Sequence, residues 1–278
     1  MSGNQQSNSS GPPAKPAPRP GLADVVGDFP YRIALAGGWV DQPFCSKLNP
    51  TPPGSMVVVG VVPEYRWMER SGIATGTRKV ALDLWGGGIP HGDLNDLVEQ
   101  LYNAENEGKD EPSGSQDMIG LIYPGVNRLD FDFEHRGGIF PAHIESNNEP
   151  DVAHWLERVI HVLPIEPRPP GYSPLTDRQL DPEWVRKLGQ SGKDCYDAII
   201  SKDIKALGAS MNLCMEAWET LVPCTVRHEV LHVDLPQILH YYQDRYPGAM
   251  FSGCGGGYIY VVSEEEVPGA FKIRVRQF

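Results

Sequence analysis

The sequence predicts an α+β fold, with helices and antiparallel strands mixed and no regular strand–helix–strand rhythm. Three observations carry this. "RLDFDFEH" alternates strictly at Leu129, Phe131 and Phe133, and with "GGIFPAHIE" after it reads as a β-hairpin turning near Arg136 and Gly137. "GSMVVVGVV" is a Val-rich run suited to a buried strand. Beyond Asn148 the apolar spacing is mostly helical.

The elements follow in order. Residues 1–22 are Ser, Asn, Gln, Gly and Pro with almost nothing to bury, and read as a disordered tail. "YRIALAGGWV" suggests a strand running into a glycine turn, and "GSMVVVGVV" follows as the second strand. Val80, Ala81, Leu84 and Trp85 recur at helical spacing over 77–85, and Gly86-Gly87-Gly88 ends that helix. Asp93 is the N-cap of a helix with Leu94, Leu97, Val98 and Leu101 on one face, and a shorter helix starts at Ser115. After the hairpin, Asp181-Pro182-Glu183 opens a helix, Asp203 caps a long amphipathic one, and Asp234 caps another. "YIYVVS" and "FKIRVRQF" read as closing strands.

With 278 residues the chain can bury a substantial core. A formal charge of −12 implies no basic surface for nucleic acid or anionic lipid. Cys45, Cys195, Cys214, Cys224 and Cys254 are scattered, which favours free thiols in a reducing compartment. No apolar run approaches a membrane span, so a soluble, cytoplasmic protein is expected.

His228-Glu229-Val230-Leu231-His232 matches the H-E-x-x-H of zinc hydrolases. Two imidazoles bind one zinc that way only if a helix presents both on one face. Val226, Val230 and Val233 are β-branched and Pro223 and Pro236 enclose the stretch, so the expectation is that it holds no zinc.

Three glycine-rich stretches offer a better account: "RIALAGGWVDQP", "RSGIATGTRKVAL" and "FSGCGGGYIYVV". The second is a small-residue loop opening a helix. Backbone N–H groups there carry partial positive charge, and small residues let an anion approach them. In this order, with "SGSQDMIG" between the second and third, the motifs resemble those of the GHMP kinases, and the first is most similar to the branch containing fucokinase and heptose 7-phosphate kinase.

The resemblance covers nearly everything after residue 29. It implies a two-lobed fold with a shortened N-terminal domain over 23–147 and a helix-rich C-terminal domain over 148–278. It implies ATP-dependent phosphorylation of a sugar or sugar-phosphate hydroxyl, with ATP and Mg²⁺ as cofactors and no nucleic-acid or membrane partner. Residue by residue, Asp117 matches the catalytic aspartate and Arg32 assists it. Gly72, Ala74, Thr75, Gly76 and Thr77 wrap the ATP phosphates, and Gly253, Gly255, Gly256 and Gly257 support that loop. Asp41 accepts hydrogen bonds from the sugar beside Gly37 and Gly38, and Glu105 with Thr75 holds Mg²⁺. Two departures stand out. The loop carries Ala74 at a glycine and Gly76 at the second serine of the usual G-L-G-S-S-A, and the stretch between Asp41 and Gly72 is short. The alternative is a non-catalytic protein of this fold that binds a sugar or phosphosugar.

Overall fold

Val57, Val58 and Val59 are fully buried at the centre of an antiparallel sheet that organises the first half of the chain. The computed structural model describes residues 29–170, 172, 177–227, 231–253 and 255–278. The tail expected over 1–22, together with His228 and Glu229, lies outside them. The first sheet has the order β1-β2-β3-β4, from β1 (Tyr31–Ala34), β2 (Gly54–Val61), β3 (Val126–Phe131) and β4 (His143–Asn147). β3 and β4 are the expected hairpin pair, with Asp130 opposite His143 and a 3₁₀ turn at Arg136–Gly138 between them. The pairing extends back to Val126, before the alternating run begins, because β2 supplies a partner as far as Val59.

Between these strands lie α1 (Pro43–Ser46), α2 (Thr75–Trp85), α3 (Leu94–Asn106) and α4 (Gln116–Ile122). α2 starts at Thr75, two residues before the apolar spacing begins, and Leu84 on the expected apolar face is 45% exposed. What α2 buries is Thr77, Arg78 and Ala81. Arg78 is held there by the Phe29 carbonyl at 3.0 Å and by the Tyr31 ring at 4.2 Å.

The second half contributes α5 (Pro150–Val159), α6 (Pro182–Ser201), α7 (Ile204–Leu221) and α8 (Leu235–Gln243). Asp93, Asp181, Asp203 and Asp234 each accept backbone N–H groups at the start of their helices, as the sequence predicts. A second antiparallel sheet has the order β6-β7-β5-β8, from β5 (Ile160–Pro164), β6 (Gly248–Phe251), β7 (Tyr258–Val262) and β8 (Phe271–Lys272). β5 and β6 were not expected from the sequence. The closing strand "FKIRVRQF" shrinks to Phe271–Lys272 plus a single bridge from Val275 to Val61.

α6 and α7 form an antiparallel hairpin between the sheets. α6 lies on β2 so closely that a Cβ on Gly192 would fall 1.9 Å from the Ser55 carbonyl oxygen. α7 meets β6 as closely, since a Cβ on Gly208 would fall 2.3 Å from Pro247. The sheets are thus two walls with one helical layer between them, and the cavity described next opens on the loops at one end.

Candidate active site

Arg32 points from β1 under α4 and is only 4% exposed. Gly120 makes room for it, because a Cβ there would sit 2.0 Å from Arg32 Cγ. The guanidinium ion-pairs with Asp117 in the first turn of α4 and donates from Nη1 to the Gly72 carbonyl at 3.3 Å. Thr77 Oγ1 lies 3.4 Å from Asp117 Oδ2, a long hydrogen bond. These contacts join β1, the glycine loop, α2 and α4 around one cavity of about 460 Å³, a size suited to a small ligand.

Asp41 follows the Gly37–Gly38 turn and is fully buried. Gln116 Nε2 donates to its Oδ1 at 3.1 Å, while Oδ2 has no hydrogen-bond partner. Burial pushes its carboxyl up to about 6, against the opposing pull of Arg32 and of hydrogen bonds from the backbone and Gln116. Burial likewise lowers Arg32 to about 10, so it stays charged at neutral pH. Glu105 borders the cavity from the end of α3. Its Oε1 accepts from Ser113 Oγ at 3.1 Å, and its Oε2 is buried without a partner.

The glycine loop is left-handed at two positions and packs closely on the last glycine motif. Gly72 has φ +77°, and a Cβ there would fall 2.7 Å from the Ser252 carbonyl. Ala74, at φ 58°, is left-handed at the N-cap of α2, a conformation that costs a non-glycine residue about 1 kcal/mol. Thr75 and Thr77 both line the cavity but are used differently. Thr75 Oγ1 accepts the Arg70 N–H at 3.3 Å, and Thr77 faces Asp117.

Of the residues singled out in the sequence, Arg32, Gly38, Asp41, Gly72, Ala74, Thr75, Gly76, Thr77, Glu105, Asp117 and Gly253 line the cavity. Gly37 stands behind it, packed on the Ser55 carbonyl. Gly255, Gly256 and Gly257 also stand behind it, each at positive φ, against the carbonyls of Thr225, Glu166 and Ser71. Gln116, Trp39, Trp218, Arg70 and Arg168 line it without having been singled out. Trp39 holds φ 86°, unusual for a bulky residue, and Trp218 Nε1 donates to the Gly38 carbonyl at 2.9 Å. The only advance signal for Gln116 was its place beside Asp117.

Elsewhere, His232 is exposed and bonded to Glu166 through Nδ1 at 2.7 Å. No group of three or more His, Cys, Asp or Glu among the described residues is arranged to hold a metal ion. No described helix is long and apolar enough to cross a membrane.

Neither a family model nor a curated protein matches the sequence. Solved structures do match its shape. A mevalonate kinase superposes with a TM-score of 0.58 at 10% identity, covering 90% of this chain and 98% of its own. Galactokinase from Lactococcus lactis, crystallised with galactose, gives 0.59 at 14% identity, covering 92% and 96%. Phosphomevalonate kinase from Streptococcus pneumoniae gives 0.51 at 11% identity, covering 84% and 90%.

The chain has the GHMP-kinase fold. In this GHMP-kinase fold the resemblance read from the glycine motifs and the backbone architecture agree. The match spans nearly the whole length of the mevalonate kinase and the galactokinase.

Proposed function

We propose that the chain transfers a phosphoryl group from ATP to a hydroxyl of a small sugar or sugar phosphate. The observation that carries this is the Arg32–Asp117 ion pair, set against Thr77 at the start of α2 in a cavity shared with Asp41. Phosphoryl transfer needs mainly positioning and charge neutralisation. The backbone N–H groups of Gly72–Thr77, the N-terminus of α2 and Arg32 supply positive potential for phosphates. Asp117 accepts the proton of the acceptor hydroxyl as that oxygen bonds to the terminal phosphorus and ADP leaves. Oδ2 of Asp41, buried and unpartnered, suits a sugar hydroxyl as donor. The galactokinase of the same fold, crystallised with galactose, supports a sugar as acceptor.

Glu105, through its buried and unpartnered Oε2, and Thr77, through its hydroxyl, would hold a Mg²⁺ ion here, both being oxygen donors of the kind it takes. When bound, Mg²⁺ supplies charge neutralisation on the phosphates. Thr77 is better disposed than Thr75, whose hydroxyl is engaged by Arg70. A second reading, a sugar-binding protein without turnover, is favoured by Ala74 and Gly76 standing where the usual loop has a glycine and a serine.

Incubation of monosaccharides and their phosphates with Mg-ATP, reading ADP release, tests the proposal. Sugar-dependent release is expected, and Asp117→Asn should slow it by roughly 10²–10⁴ while ligands still bind within a few-fold. No sugar-dependent release by the wild type favours the binding protein. Release at an unchanged rate in Asp117→Asn removes Asp117 as the base.

A further inference from the structure

Two arginines in the same cavity are unaccounted for by this chemistry. Arg70 precedes the glycine loop, and Arg168 arrives from the segment after β5. Each is oriented by the backbone of the other. Arg70 Nε donates to the Arg168 carbonyl at 2.9 Å and its Nη2 to the Pro169 carbonyl. In return, Arg168 Nε donates to the Arg70 carbonyl at 3.0 Å.

No carboxylate lies within ion-pair distance of either among the described residues. Glu69, next in sequence to Arg70, also borders the cavity but pairs only loosely, with Arg66 at 3.8 Å. Nη1 and Nη2 of Arg168 make no hydrogen bond among the described residues, although Arg168 borders the cavity. Arg70 holds a left-handed φ of 56°, a strained conformation in a non-glycine residue. Arg168 also disfavours the charged form of Arg32, so their positive fields overlap.

A brace between two loops would account for the carbonyl contacts. It does not account for a pair of adjoining cations left unneutralised in a chain of net charge −12. Guanidinium groups with idle donors suit bidentate contact with phosphate oxygens.

We propose that Arg70 and Arg168 form a phosphate-binding pair at the exposed edge of the cavity, beside the Gly72–Thr77 loop. The identity of the ligand rests on the kinase reading, but the site itself does not. The phosphate belongs either to the nucleotide or to a phosphorylated acceptor sugar.

Two measurements test this. In the wild-type chain, inorganic phosphate should slow modification of Arg70 and Arg168 by phenylglyoxal several-fold, read by peptide mass spectrometry. Arg168→Gln should weaken binding of inorganic phosphate by roughly tenfold, the worth of one charge-assisted contact. Weaker Mg-ATP with unchanged hexose 6-phosphate assigns the group to the nucleotide, and the reverse assigns it to the sugar. If Arg168→Gln does not fold, the labelling decides alone. Protection by phosphate without any sugar-dependent ADP release keeps the pair and sinks the kinase reading. Labelling rates indifferent to phosphate, or an Arg168→Gln chain that binds all three probes as the wild type does, overturn the proposal.

Discussion

Asp41 bears a cost for its position. Its folded pKa of about 6 lies above the ordinary 3.8, so the folded state holds the proton more tightly and ionisation penalises the fold. The associated stability is complete below about pH 4 and is lost as the pH rises through about 6. Asp41→Asn keeps an oxygen for Gln116 and cannot ionise. It should be more stable than wild type by about 1–3 kcal/mol at about pH 8, with no gain below about pH 4. Thermal melts across that range measure it, and a gain that persists in acid would point to another cause. If the proposed sugar acceptor binds there, the same substitution should weaken its binding, a trade of ligand contact for stability. At this scale the shared place of Arg32, Asp41, Thr77 and Asp117 in one cavity was legible, because each sits in a short motif. Arg168 and Trp218 were not, because they reach the cavity from segments far from the glycine loop and only folding brings them there. Arg70 opens that loop's stretch, but nothing local marked its side chain for the cavity. Which threonine faces Asp117 was also beyond the sequence, because it depends on where α2 begins.

A seven-residue helix, α4, carries Asp117 and covers Arg32. Its fit depends on Gly120, since a methyl group there would overlap the Arg32 stem. Gly120→Ala should destabilise the chain by about 1–3 kcal/mol and displace Arg32 from Asp117. Denaturant unfolding gives the first effect, and turnover well below the melting temperature gives the second. A variant as stable as wild type would show that α4 does not press on β1. Helix starts at Asp93, Asp181, Asp203 and Asp234 could be read because a cap is a local device. β5 and β6 could not. "IHVLP" and "GAMF" are too short to show a period, and they become strands by pairing, β6 with β7 and β5 with β7 and β8.

Neither sheet closes its own core in the whole molecule. α6 belongs to the second half of the chain and packs on β2 in the first. The C-terminal segment returns to the first sheet, where Val62 N–H donates to the Arg274 carbonyl at 2.9 Å and Gly125 N–H to the Arg276 carbonyl at 2.7 Å. Ser252 Oγ reaches the Ser71 carbonyl, fastening the last glycine motif to the Gly72–Thr77 loop. Thermal unfolding should therefore be one cooperative transition, with far-ultraviolet dichroism and tryptophan emission superimposing. Two separated steps would mean that the halves unfold apart. The α+β class was legible from alternation and helical spacing. The exchange of elements between halves was not, because nothing local encodes which sheet a helix covers. The indole of Trp218, clamped on Gly38, has an optical consequence. Of the six tryptophans, Trp39 and Trp218 border the cavity, whereas Trp67, Trp85, Trp155 and Trp184 lie elsewhere. A ligand that displaces water from the half-buried Trp39 ring beside the buried Trp218 should move the emission to shorter wavelength, and Trp39→Phe should shrink the change. A spectrum unmoved by saturating ligand would mean that ligands bind away from both indoles. The chain thus carries its own fluorescent gauge of occupancy, usable before any substrate is known.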